Sequence, residues 1–162
     1  DVDPYITATA DVKIEDGLWM MWYVSGTQWT IENNKPKPHY LVKYAESEDG
    51  INWKREGKVC IDFKTEDEYA IARPWVIKED GIYKMWFSYR GERYRIGYAE
   101  SEDGIDWERK DEQVGIDLAA FGWDSEMIAC TCVFEHKGRT YMLYNGNNCG
   151  KTGIGYAIME KT

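Results

Sequence analysis

Four prolines, four cysteines and two histidines are thinly spread over 162 residues, and no low-complexity tract interrupts them. Scarce proline with 15% aromatic residues excludes a disordered or proline-rich linker. Cys60, Cys130, Cys132 and Cys149 include no C-x-x-C pair, and only His39 and His136 are available to complete a metal site. Buried free thiols are the expectation, with Cys130 and Cys132, two apart in an apolar stretch, on one face of a strand, and with a cytoplasmic location and no cofactor. No apolar run approaches the roughly 20 residues of a membrane span, and DVDPYITATA at the start carries neither a basic region nor an apolar stretch of a signal sequence. Positive charge is also in deficit, with 20 Lys and Arg against 29 Asp and Glu and a net charge of −9. Such a field repels phosphate backbones, so neither nucleic acid nor membrane is an expected partner.

What is abundant is repetition. YAESEDGINW at Tyr44 to Trp53 returns at Tyr98 to Trp107 as YAESEDGIDW, and a worn third copy begins at Tyr156. The Tyr-Ala pair recurs at 44, 98 and 156, steps of 54 and 58. A period of this size belongs to propellers or solenoids. Within the second unit, AIARPWVIK, IYKMWFSYR and RYRIGYAES read as strands, Asp80-Gly81 as a hairpin turn, and IDWERK as a short fourth strand. Helical periodicity is nearly absent apart from a turn around Asp117 to Phe121. The expectation is an all-β propeller of four-stranded antiparallel blades, three of them in one domain, over residues 1–62, 63–117 and 118–162.

The repeated S-x-D-G-x-x-W stretch is read as scaffold: glycine permits the tight turn, aspartate bonds turn amides, and tryptophan packs between blades. Function is then sought where the units disagree. The starts of the first strands align as DVDPYITATADV, TEDEYAIARPWV and GWDSEMIACTCV, which places Asp3, Asp67 and Asp124 at one position and Arg73 against Thr9 and Cys130. In a propeller this strand lines the central channel, so Asp67, Glu68, Asp124, Glu126 and Arg73 converge on a rim. Facing carboxylates in a partly desolvated pocket have their acidities pushed apart, as general acid and base work requires, and glycoside hydrolysis uses such pairs. The alternative is that strand-start aspartates bond the neighbouring backbone and Arg73 pairs with a glutamate. Trp29 and Trp123 are candidate stacking platforms for sugar rings, and Arg90, Asn145 and Asn147 candidate hydroxyl ligands. Trp29 lies in QWTIENNKPKPHY, an insertion of the first unit expected to form a long loop.

DPYITA, ARPWVIKEDGIYKMWFSYRG, RIGYAESEDGIDWER and GWDSEMI followed by YNGN resemble the five-bladed propeller glycosidases, a group with arabinanases, β-xylosidases and invertase-like enzymes, over nearly the whole chain. The resemblance implies a channel site with an aspartate base, a supporting carboxylate and a glutamate acid. Glu126 in WDSEM is similar to the acid, Asp124 and Asp67 or Glu68 would support it, and no residue matches the base, with Asp3 as a substitute. The three units look like the C-terminal three of five, so the chain is expected to be a fragment or a homo-oligomer with a carbohydrate ligand. A non-catalytic sugar-binding or assembly module is the alternative.

Overall fold

The computed structural model describes residues 2–159. Its strands fall into three antiparallel units. The first comprises β1 (Thr7–Glu15), β2 (Leu18–Glu32), β3 (Lys35–Ser47) and β4 (Val59–Ile61). The second comprises β5 (Ala70–Glu79), β6 (Ile82–Arg90), β7 (Tyr94–Ser101) and β8 (Glu108–Arg109). The third comprises β9 (Ala129–His136), β10 (Arg139–Asn145) and β11 (Ile154–Ile158) among the described residues. One parallel bridge, Tyr40 to Ala70, joins the first two units into a continuous sheet.

Each unit opens on the same turn. Asp16-Gly17, Asp80-Gly81 and Lys137-Gly138 connect the first two strands, and both residues of each pair have positive φ. Two-residue loops of this kind match the right-handed strand twist, and the sequence pattern Asp-Gly selects them. The insertion expected as a loop is strand instead: β2 and β3 continue to the pair Glu32–Lys35 and turn on Asn33-Asn34, both at positive φ, so Trp29 rides on a long hairpin arm. Asparagine tolerates that conformation, which lets the ladder run to its tip. The expected turn at Asp117 to Phe121 is also displaced, since a short 3-10 segment lies earlier, at Asp111–Gln113.

The second unit is buried on both faces because it is sandwiched. Tyr83, Met85 and Phe87 of β6 meet Met20, Trp22, Val42 and Tyr44 of the first unit. Trp86, Ile96 and Tyr98 point the other way, onto Ile128, Val133 and Met142 of the third. Trp22 is fully buried, donates from Nε1 to the Gly104 carbonyl at 2.7 Å, and meets Trp107 edge to face at 6.0 Å. A buried indole removes roughly 150–250 Å² from water, about 4–6 kcal/mol of gross stabilisation.

The inner strands β1, β5 and β9 stand side by side. The Val76 amide donates to Asp11 at 2.7 Å, and the Trp75 indole donates to the Val133 carbonyl at 2.7 Å. The pairs Glu15–Leu18, Trp19–Ser47, Glu79–Ile82 and Tyr83–Ser101 put both S-x-D-G-x-x-W turns at the same end as the hairpin turns. The starts of β5 and β9 and the ends of β6 and β10 lie at the opposite end, called the rim below.

Candidate functional site

The rim is built around irregularities in the inner strands. Each ladder is broken there: between Ala8 and Ala10 in β1, between Ala72 and Trp75 in β5, and opposite Leu143 to Asn145 in β9. Arg73 and Cys130, aligned in the repeat, both sit in the left-handed region, at φ 56 and 58°. A bulky residue held there costs of order 1–3 kcal/mol, and such strain concentrates at functional positions. The Arg73 amide donates to the Thr9 hydroxyl at 3.3 Å, which joins two of the sister positions, and the Cys130 amide donates to the Ser88 hydroxyl of β6 at 2.9 Å. The Arg73 guanidinium has no carboxylate partner among the described residues. Burial pushes the Cys130 thiol up, and the positive charge of Arg73 opposes that shift.

Arg90, at the end of β6, lies over the rings of Tyr94 and Tyr69, at 5.0 and 5.5 Å, and its Nε is buried without a partner among the described residues. Tyr94 and Tyr40 share a hydrogen bond of 2.8 Å between their hydroxyls, and burial raises the Tyr40 phenol. From the hairpin arm, Lys37 lies 3.9 Å from the centre of the Tyr69 ring. His39 meets the same ring edge-on at 5.8 Å and its Nε2 lies 2.9 Å from the Thr30 hydroxyl. Trp29, 46% exposed, is on the same arm. Asp67 is fixed by the Thr65 hydroxyl, which donates at 2.6 Å, and its other oxygen crowds Gly91 just beyond Arg90.

The third unit brings a second group. Tyr144 donates to Asp124 at 3.1 Å, and Trp123 stacks on Tyr144 at 5.5 Å while covering Gly146 and Gly155. A side chain at either glycine would strike the indole, so Trp123 is wedged into its own unit more than it is displayed. Glu126 is exposed, and its backbone is fixed by buried Asn147, whose Oδ1 accepts from the amides of Glu126 at 2.7 Å and Met127 at 3.1 Å. The Asn147 amide, a candidate hydroxyl ligand in the sequence, is thereby spent on positioning, since its Nδ2 also donates to the Gly122 carbonyl at 3.1 Å. Asn145 sits beside the Cys130 thiol.

Two acidic residues are occupied elsewhere. Glu68 is buried and receives two hydrogen bonds from Arg109, at 2.8 and 3.2 Å, and one from the Lys64 amide at 2.9 Å. Asp3 is taken up by Tyr23 at 3.1 Å and by Arg55 at 2.9 Å, with Lys43 at 3.8 Å. The four cysteines are free, but only Cys60 is buried, and Cys149 is exposed, contrary to the expectation of buried thiols. Cys130 and Cys132 both lie half-buried on β9, alternating with buried Ala129, Thr131 and Val133. Among the described residues no group of three His, Cys, Asp or Glu side chains is placed to hold a metal ion.

Sequence reasoning passed over Asp11. It stands on β1 where the sister strands carry Trp75 and Cys132, it accepts from the Val76 amide, and burial raises its carboxyl pKa above the ordinary value. It breaks the repeat, so the rule of looking where the units disagree would have found it.

No family model matches the chain. An uncharacterised protein of Mycobacterium tuberculosis is 41% identical over 158 residues, covering 98% of this chain and 52% of that one. A 1,2-β-oligomannan phosphorylase of a Thermoanaerobacter species is 44% identical over 72 residues, 41% of this chain and 24% of that one. Among solved structures, a family 117 glycoside hydrolase of Zobellia galactanivorans superposes with a TM-score of 0.74 at 19% identity, over 93% of this chain and 51% of that one. A family 32 β-fructofuranosidase of Bombyx mori does so at 0.72 and 18%, over 94% and 33%. The chain thus has an all-β, propeller-type fold, the fold of those glycoside hydrolases. It spans about half the length of the Mycobacterium relative it matches. Among the described residues no helix is long and apolar enough to cross a membrane.

Proposed function

We propose that the chain is a carbohydrate-active propeller module that takes a glycan across the rim. The observation that carries this reading is the segregation of the two ends of the fold. The repeated turns occupy one end, and the residues that break the repeat, Arg73, Arg90 and Glu126, occupy the other, with Asp124 beside them. The guanidiniums of Arg73 and Arg90, without a carboxylate partner among the described residues of a chain of net charge −9, favour a ligand with hydroxyl or anionic oxygens. Trp29, 46% exposed, offers a ring face for the C–H side of a sugar. In the catalytic form of the reading Glu126 is the acid, Asp124 and Asp67 are supporting carboxylates, and Arg73 and Arg90 hold the substrate with Trp29, Trp123 and Asn145 around it. Glu68 acts through Arg109 and shapes the rim without touching substrate.

Two substrate classes follow from the likenesses: a glycoside cleaved by water, and a β-1,2-linked mannoside cleaved by phosphate, which the unpaired arginines would suit. The second reading, a sugar-binding module without catalysis, is favoured by one observation. The first unit brings Asp3 toward the rim already engaged with Tyr23 and Arg55, so that this aspartate is not free to act as base.

The test is sugar release from β-1,2-mannooligosaccharides and from arabino-, xylo- and fructo-oligosaccharides, with and without inorganic phosphate. Catalysis predicts release that Glu126→Gln lowers by at least about 100-fold, within the range ascribed to a general acid. Release unchanged by Glu126→Gln overturns the assignment. Binding without release, lost in Arg90→Ala, leaves the binding module.

A further inference from the structure

Glu126 and Asn147 occupy two places that the repeat fills in every unit. Counted from the turn glycines Gly17, Gly81 and Gly138, the residue twelve before is Tyr5, Tyr69 or Glu126, and the residue nine after is Gly26, Arg90 or Asn147. In the first two units backbone joins these places. The Gly26 amide donates to the Ile6 carbonyl at 2.8 Å, and the Tyr69 amide donates to the Arg90 carbonyl at 3.0 Å, beside the ladder pair Ala70–Arg90. In the third unit the ladder of β9 and β10 ends at Ala129–Asn145 among the described residues, and the stretch from Gly122 to Ile128 lies outside the strands.

Backbone N–H groups that leave a ladder need another acceptor. A side chain takes the place of the rung: Oδ1 of buried Asn147 accepts from both the Glu126 and Met127 amides, and its Nδ2 donates back to the Gly122 carbonyl at 3.1 Å. A primary amide has the two lone pairs and the donor this takes, whereas a carboxylate lacks the donor. Further bonds tie the same stretch down. The Asn147 amide donates to the Trp123 carbonyl at 2.8 Å, the Thr152 hydroxyl donates to that carbonyl at 2.6 Å, and Tyr144 holds Asp124. Asn148 and Cys149, which follow Asn147, stand in the left-handed region at φ 53 and 55°, a conformation non-glycine residues keep only where their surroundings impose it. Glu126 itself is exposed, and among the described residues its carboxylate has no hydrogen-bond partner. Its backbone therefore sets where it points.

We propose that Asn147 is the positioning residue of Glu126, turning the carboxyl of the candidate acid toward the rim through the two amides it holds. The inference rests on the reading of Glu126 as the acid. A scaffold role alone does not account for the arrangement, because the sister units close the same junction with backbone and only the unit that carries Glu126 exchanges the rung for a side chain. The exchange frees residue 126 from the strand geometry that Tyr69 has beside Ala70, and Asn147 then fixes it in another one.

Asn147→Ala and Asn147→Asp in the 162-residue chain test the proposal by amide hydrogen exchange and by sugar release from β-1,2-mannooligosaccharides, or from the arabino-, xylo- or fructo-oligosaccharide that the unsubstituted chain cleaves. In Asn147→Ala the Glu126 and Met127 amides should exchange about 10-fold faster, as for one hydrogen bond lost, with β9 and β10 unchanged. kcat should fall about 100-fold, as for a reacting group moved by about 1 Å, with KM within about 3-fold. Asn147→Asp keeps the acceptor and loses only the donor to Gly122, so it should keep both amides protected and recover most of the lost kcat. Unchanged exchange at Glu126 and Met127 in Asn147→Ala overturns the proposal, and so does a rise in KM with kcat unchanged. If Asn147→Ala does not fold, Asn147→Asp decides: full loss of kcat with both amides still protected overturns the proposal, and retained kcat supports it. No release by the unsubstituted chain overturns the reading of Glu126 as the acid, and the exchange rates then decide whether Asn147 positions that residue.

Discussion

Arg109 of β8 grips Glu68 through two hydrogen bonds, 2.8 and 3.2 Å, and reaches Asp111 with a third of 2.6 Å. The guanidinium also lies 5.2 Å from the ring centres of Phe87 and Tyr89, so a cation with two carboxylates is enclosed where the outermost strand of the second unit meets the loop leading to β5. This arrangement holds the Asp67–Tyr69 segment, and hence the Tyr69 ring under Arg90, in place at the rim.

Removing one partner of such a group leaves buried charge uncompensated, at a cost of about 3–5 kcal/mol. Arg109→Ala should therefore lower stability by that amount in urea unfolding. Adding Glu68→Gln to Arg109→Ala should recover part of the loss, since one stranded carboxylate is removed. Additive losses would contradict the coupling.

The turn end should respond without the rim. Asp103 accepts from the Ile105 and Asp106 amides, both at 2.8 Å, and Gly104 is left-handed with Met20 Cε 2.7 Å from where a side chain would begin. Gly104→Ala should cost about 1–2 kcal/mol from the backbone alone, and glycan binding should survive. The Asp106 amide is the largest influence holding the Asp103 carboxyl below its ordinary value of 3.8, and the Asn52 amide does the same for Asp49. A depressed carboxyl contributes stability that is present above 3.8 and is lost as pH falls through the lower folded value. Asp49→Asn with Asp103→Asn should thus flatten the acid limb below about pH 4. An unchanged acid limb would contradict it.

Asp11 carries the opposite sign. Burial, partly offset by the Val76 amide and Lys13, raises its carboxyl above 3.8. Its favourable contribution is therefore complete only below 3.8 and is lost as pH rises through the folded value, so the ionised form is a cost at neutral pH. Asn is uncharged and still accepts from the Val76 amide. Asp11→Asn should raise the thermal midpoint at pH 7 and lose that advantage toward pH 4, and a lower midpoint at pH 7 would contradict the account.

The fold was readable because its determinants are local and repeated. Asp16-Gly17 and Asp80-Gly81 announce their turns, and the Tyr-Ala and Val positions align the strands before any contact is known. The rim was readable only in part. Arg73 and Cys130 could be placed by alignment, yet nothing in their residue types signals the left-handed bulge that sets them apart. The Glu68–Arg109 pair spans 41 positions with no motif to announce it, and Glu68 therefore reads as a rim ligand until its partner is seen. QWTIENNKPKPHY reads as loop from its length, whereas its Asn-Asn pair is a hairpin turn signal that the length obscured.

The central claim is that ligand meets the chain at the rim and not at the repeated turns. Backbone amide NMR during a titration with β-1,2-mannooligosaccharides, and with the fructo- and arabino-oligosaccharides if those fail, tests it directly. The account predicts shifts gathered in residues 26–40, 65–73, 88–94 and 122–130, with the turns at 47–53 and 101–107 silent. Shifts at those turns, or none with any of the sugars, would contradict it.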